Sequence, residues 1–362
     1  MKLGRQHYVP CLRWKQGEYQ ALMRLSPVAR ESTMPLIEVP EIGYDFETRR
    51  SHKSIDEHLS PFARRVKEKW GRDECFVDMR LVAVSDQMAN GQHPVAFVFD
   101  ELRVQGVLAI PVIGVEPDSN WRAACRKVVS EDGRGLCLRI GIESVAEPTL
   151  GTAIQSLLRR CDVGIGDCDV IVDLAAPNFE PIEGFVDLLE TLIRNMPFLE
   201  RWRSFGLIGT SFPASMADLG LGASIIPRNE WRLYKLLLAR LSASGTRIPD
   251  FGDYAINHPD VPEVDMRLVK PYASVRYTIE DSWLVARGQN VRDHGFGQYR
   301  ELCRAIVKSR EYSGKAFSEG DRYIHDCAQG AAPTGNLTTW RWVGTNHHVE
   351  KVARDVAKLA AP

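Results

Sequence analysis

Long apolar runs are missing from this chain of 362 residues: no window approaches about 18 uninterrupted apolar residues, so no membrane span is expected. The opening Met1-Lys2-Leu3-Gly4-Arg5-Gln6-His7 has neither the apolar stretch nor the small-residue cleavage site of a signal peptide. An excess of charge is also missing. Lys plus Arg number 46 against 47 Asp plus Glu, and a net charge of −1 gives no long-range field for nucleic acid or an anionic membrane, although a local basic groove stays open. The eight cysteines form no CxxC pair and no dense framework, and several sit in apolar runs such as Leu136-Cys137-Leu138. Buried free thiols in a reducing cytoplasm are the expectation. There is no GxxxxGK[ST], HExxH or GxSxG, and Gly164-Ile165-Gly166 lacks the rest of a dinucleotide fingerprint. Solenoid-period repeats, low-complexity tracts and long like-charge blocks are absent too.

What is present is an ordinary globular composition, 44% hydrophobic and 26% charged, in a length that suits one barrel with appended segments. Short apolar runs alternate with segments of helical periodicity, the pattern of parallel strands joined by crossover helices. Eight runs read as strands: Tyr8–Trp14, Met34–Val39, Cys75–Leu81, Ala109–Val115, Gly135–Ile140, Asp169–Leu174, Phe205–Ser211 and Asp250–Ile256. They are nearly continuous in apolar residues, as expected when both faces of a parallel strand are covered. Helices are expected over Glu18–Leu25, Ser54–Lys69, Pro94–Gln105, Asn120–Ser130, Leu150–Arg160, Ile182–Asn195, Ser215–Leu219 and Asn229–Ala243, with Asn229 as an N-cap. The fold class is therefore α/β, a (β/α)8 TIM-type barrel running as a single domain over residues 1–362.

After the eighth strand, residues 258–345 read as an insertion. Proline and charge break the rhythm at His258–Lys270, a β-hairpin follows over Ser274–Glu280 and Ser282–Gly288, and helices are expected over Gln298–Ser309 and Asp321–Ala328. A last helix, Asn346–Leu359, carries Val349, Val352, Val356 and Leu359 on one face and is placed to close the barrel. Thr345 or Asn346 is its expected N-cap.

In such barrels function lies at the carboxyl ends of the strands. Polar residues there are the candidates. Glu38, Asp78 and Asp173 each follow an apolar strand body, and a carboxylate in that place needs a partner or solvent. They are candidate catalytic groups. Two arrangements suit them: an acidic ring around a divalent cation, or an ion-pair network with Arg80, Arg139 and Arg276. Lys15 and Glu18 follow the first strand, and Glu18 also suits a first helical turn whatever the protein does. Ser211 ends the seventh strand beside Thr210, positioned to bond a substrate or to cap Ser215–Leu219, and a Ser-His-acid triad would need a distant partner such as His347. Near the carboxyl end, Gly335-Asn336-Leu337-Thr338-Thr339-Trp340-Arg341-Trp342 and Gly344-Thr345-Asn346-His347-His348 are dense in functional side chains ahead of the last helix, where free backbone N–H groups suit an anion. The adjacent histidines diverge on a helix and make a weak metal signal.

Tyr8-Val9-Pro10-Cys11-Leu12-Arg13-Trp14-Lys15-Gln16-Gly17-Glu18-Tyr19, Pro35-Leu36-Ile37-Glu38, Arg276-Tyr277-Thr278 and the two carboxyl-terminal motifs together resemble the phage beta protein family over nearly the whole chain. The resemblance implies a setting in phages or bacteria, sometimes among mobile or antiviral defence genes, and implies no reaction.

Two readings follow. In the first the barrel is an enzyme on an anionic or phosphorylated substrate, such as a nucleotide or a nucleic-acid end. Lys15, Glu18, Arg80, Arg139, Ser211, Arg276, Tyr277, Arg341 and His347 bind it, and Glu38, Asp78 or Asp173 acts as base or metal ligand. In the second it is a scaffold that recognises a protein partner through the hairpin and Trp283, Trp340 or Trp342.

Overall fold

The computed structural model describes residues 7–45, 50–51, 53–260 and 269–359. Part of the expected His258–Lys270 break lies outside them. Parallel strands Val9–Arg13, Leu36–Glu38, Cys75–Asp78, Ala109–Ile113, Leu136–Gly141, Cys168–Asp173, Phe205–Gly209 and Asp250–Asp253 close into a barrel, the first pairing with both the second and the eighth. All eight expected strands form, each shorter than its apolar run at one end or both, or shifted by one residue.

Alternation along the strands sorts side chains between two cores. Cys11, Leu36, Phe76, Val112, Cys137, Ile171 and Ile208 fill the barrel interior. Their neighbours Leu12, Ile37, Val77, Leu138, Val172 and Leu207 pack outward against the helices. The same period carries Arg13, Glu38, Asp78, Arg139 and Asp173, each two residues after one of the interior side chains, to the top of the inner face.

Helices Pro94–Gln105 and Asn229–Ala243 form with the expected bounds. Ser54–Lys69 instead splits into Ile55–Leu59, opened by a Ser54/Glu57 capping box, and Phe62–Lys69, because Pro61 between them cannot continue the hydrogen-bond ladder. Ser215–Leu219 is not a helix. The segment stays in turns, and the chain runs on into a strand, Gly222–Pro227, that was not expected from the sequence. That strand pairs antiparallel with Ser282–Asn290, which also pairs with Tyr272–Thr278, so the hairpin is part of a three-stranded sheet. The N-cap of Asn229–Ala243 is Arg228 rather than Asn229.

The last helix spans Leu337–Leu359, nine residues longer at its start than expected. Asn336 caps it, its Oδ1 accepting from Thr339 N at 3.0 Å. Thr345 and Asn346 are therefore mid-helix and fully buried rather than capping residues. Gly344 and Gly17 explain how this polar helix packs so closely. A Cβ at Gly344 would stand 2.8 Å from Ile256 Cδ1, and one at Gly17 would stand 2.2 Å from Arg341 Cγ. Val349, Val352 and Val356 pack with Tyr8, Trp231 and Phe251 on the outside of the barrel. The sheet and the helices Tyr299–Lys308 and Glu319–Gln329 share a smaller core with Trp340 and Val343. Among the described residues no helix is long and apolar enough to cross a membrane, and all eight cysteines are free and buried.

Candidate functional site at the barrel mouth

Arg139, 7% exposed, is the hub of the mouth. Its Nε donates to Asp173 Oδ2 at 2.9 Å, and its Nη1 to Glu38 Oε1 and Asp78 Oδ2 at 2.8 Å each. Its Nη2 donates to the Tyr254 hydroxyl at 2.8 Å and lies 3.5 Å from Cys11 Sγ. The Tyr254 hydroxyl in turn donates to Asp173. Above this layer sits Arg80, its side chain 40% exposed, with guanidinium nitrogens 2.8 Å from Glu38, 3.5 Å from Asp173 and 3.9 Å from Asp78. Arg13 approaches Glu38 at 3.6 Å from the other side.

Three carboxylates thus face three guanidiniums, and each aspartate has a second task. Asp78 Oδ1 accepts from Arg80 N at 2.9 Å and Asp173 Oδ1 from Ala175 N at 2.8 Å, so each caps the loop that follows its strand. Burial alone would raise the Glu38 pKa, but Arg139, Arg80 and Arg13 outweigh it and hold the carboxyl below its ordinary range. Burial would likewise weaken the charge on Arg139, yet the anionic groups around it, Asp173 and Asp78 among them, keep it firmly protonated. Burial pushes the Tyr254 hydroxyl well up, so it stays a donor.

Two cavities open beside this cluster. One of about 410 Å³ is lined by Cys11, Arg13, Lys15, Glu18, Tyr254 and Arg341 among others. The other, about 310 Å³, is lined by Asp78, Arg80, Val112, Trp121 and Arg139 among others. Lys15 pairs with Glu41 at 3.1 Å, and Glu18 accepts from Asn257 Nδ2 at 3.1 Å with Arg341 4.0 Å away.

The remaining expected residues lie elsewhere. Arg276 does not join the carboxylates: it donates to Ile256 O at 2.7 Å and lies over the Phe212 ring, and Arg13 holds the position expected of it. Ser211 Oγ accepts from Asn229 N at 2.8 Å and donates to Glu230 at 2.5 Å, so it caps Asn229–Ala243 and not Ser215–Leu219. His347 makes no triad with it. Its Nδ1 meets Asp321 at 2.8 Å, its Nε2 meets Thr278 O at 2.7 Å, and its ring stacks on Tyr277 at 3.8 Å, all in the buried interface under the last helix. Tyr277 itself donates to Asp321 at 2.6 Å. Trp283 and Trp340 are buried, so neither is the exposed contact that the scaffold reading asks for. Arg13 was missed as a site residue, and the alternation Val9, Cys11, Arg13 is the signal that finds it. Among the described residues no group of three His, Cys, Asp or Glu is placed to hold a metal ion, and the three mouth carboxylates point at guanidinium groups instead.

A closed eight-stranded parallel barrel with its polar cluster at the carboxyl mouth is a (β/α)8 protein. The chain belongs to the Beta protein family, whose model matches residues 8–354. No curated protein matches it. Among solved structures it is similar to a mutant tryptophan synthase α-subunit from the hyperthermophile Pyrococcus furiosus, at 11% identity and a TM-score of 0.39 over 69% of this chain and 86% of that one.

Proposed function

We propose that the barrel mouth binds an anionic, phosphate-bearing substrate, a nucleotide or a phosphodiester end, and acts on it there. The observation that carries this reading is Arg80. A half-exposed guanidinium braced over three buried carboxylates and lining the smaller cavity turns a fixed cationic group toward solvent. Arg13, Lys15 and Arg341 extend the cationic rim around the larger cavity. Guanidinium suits phosphate because its fork of donors matches two oxygens at once.

In this reading Glu38, Asp78 and Asp173 are positioning groups. Glu38, held ionised by its arginines, is a weak proton acceptor at neutral pH. The chemistry that the arrangement favours is stabilisation of negative charge developing on phosphoryl oxygens by Arg80 and the cations of the rim. The family resemblance adds a setting in phage or phage-defence biology.

Calorimetric titration with adenosine and guanosine mono- and triphosphates, combined with an assay for phosphate release, tests the proposal. We expect at least one nucleotide to bind wild type below about 1 mM and to weaken at least tenfold in Arg80→Ala. Binding that is indifferent to Arg80, or absent for every nucleotide and for a short 5′-phosphorylated oligonucleotide, overturns it.

A further inference from the structure

A third cavity, about 490 Å³, lies between the three-stranded sheet, the loop after the seventh strand and the start of the last helix. Lys270, Arg276, Arg287 and Arg341 line it, and no carboxylate does so among the described residues. Lys270 is paired with Asp293 at 3.4 Å, but the three guanidiniums are not neutralised in this way. Arg276 spends one donor on the carbonyl of Ile256, Arg287 spends one on the carbonyl of Leu219, and the nearest carboxylate to Arg341 is Glu18 at 4.0 Å. Arg287 is 8% exposed, its guanidinium lies 4.0 Å over the Tyr272 ring, and its buried Nε has no hydrogen-bond partner. A buried donor left unpaired costs about 1–3 kcal/mol, so the site is built at a cost to the fold. Burial and the neighbouring charge of Arg341 push the Arg276 pKa down to about 9, the response of a cation among uncompensated cations.

We propose that this cavity is a binding site for a small phosphorylated ligand carrying two or more negative charges. Its volume suits a nucleotide-sized molecule. Three forked donors converging without a competing acid supply what a polyphosphate asks for. The site stands apart from the barrel mouth, sharing with it Leu337 and Arg341, whose side chain lines both cavities. Arg80 lines only the mouth, and Arg276 and Arg287 line only this cavity, so substitutions at those residues tell the two sites apart.

Inorganic pyrophosphate, titrated calorimetrically into the full chain, is the probe. Wild type is expected to bind it below about 1 mM. Arg276→Met and Arg287→Met should each weaken it at least tenfold, whereas Arg80→Ala at the mouth should change it less than twofold. Ser215→Glu sets a carboxylate on an exposed part of the lining without touching the core, and should also weaken binding tenfold even if the arginine variants fold poorly. Pyrophosphate affinity unmoved by Ser215→Glu and by both arginine variants, or no pyrophosphate binding at all, overturns the proposal. Loss in Arg80→Ala alone would also overturn it, while favouring the mouth.

Discussion

Two of the buried charge networks among the described residues differ in one respect. The mouth network around Arg139 reaches solvent and the smaller cavity through Arg80, and the larger cavity through Arg13, Glu38 and Tyr254. The network under the last helix is sealed: His347 with Asp321, and His348, whose Nε2 meets Asp253 at 2.9 Å while its Nδ1 accepts from Thr278 at 2.8 Å. His347, His348, Asp253 and Asp321 are all 0% exposed. The residue types are those of an active site in both places, but only one offers its charge to a visitor. The sealed set has its donors matched to acceptors inside the fold, which fastens the last helix to the eighth strand and the sheet.

Substitutions that separate the two networks sharpen this contrast. The largest stability effect is expected for Arg139→Met, which leaves Glu38, Asp78 and Asp173 buried with fewer cations. Removing one partner from a buried ion pair costs about 3–5 kcal/mol, and urea denaturation should show a loss of that size. Next comes His348→Ala, which strands Asp253 and opens a cavity, with an expected loss of about 3 kcal/mol and nucleotide binding unchanged within twofold. Equal loss of binding in this variant would erase the distinction between the networks.

The pH dependence is a smaller and separable effect. Burial depresses the His348 pKa below the ordinary histidine value of 6.5, against the pull of Asp253. The unfolded chain then binds the extra proton more readily, so this contribution is present above pH 6.5 and lost as pH falls below it. Wild-type stability relative to His348→Gln should fall on acidification from pH 6.5 to pH 5, by at most about 1.4 kcal/mol per pH unit. A parallel pair of curves would refute the neutral, sealed histidine. A second pH effect, of opposite sign, is expected at the far end of the barrel. Asp250, at the start of the eighth strand, has its pKa pushed up to about 7 by burial. Its protonated form favours the fold, so its contribution is present below about pH 4 and lost as pH rises through 7. Asp250→Asn should gain on wild type across that window, the two stability curves running parallel below about pH 4 and again above about pH 8.

The barrel was legible in the sequence because parallel strands buried on both faces announce themselves as apolar runs, and the period of two then aims Glu38, Asp78, Arg139 and Asp173 at one mouth. The partner list was only partly legible. Arg80 and Arg139 are where the ion-pair reading put them, but Arg276 belongs to the sheet, on the strand face opposite to Tyr277, and nothing local in the sequence states that. The start of the last helix was hidden because Gly344-Thr345-Asn346-His347-His348 has the composition of a loop. Only tertiary partners such as Thr278 and Asp253, distant in sequence, make those polar groups affordable inside a helix. Gly222–Pro227 was hidden for a related reason: it is an exposed edge strand, with Leu221 and Ile225 facing solvent, and its register comes from its partner strand rather than from its own alternation.

On the proposed reading the mouth presents its charge to a ligand while the sealed network presents none. Measuring nucleotide affinity and unfolding free energy together in Arg80→Ala and His348→Ala tests it most directly. The expected result separates binding from stability: Arg80→Ala binds at least tenfold more weakly, whereas His348→Ala loses about 3 kcal/mol and still binds like wild type. Affinity that follows stability in both variants, or that is unchanged in Arg80→Ala, would contradict it.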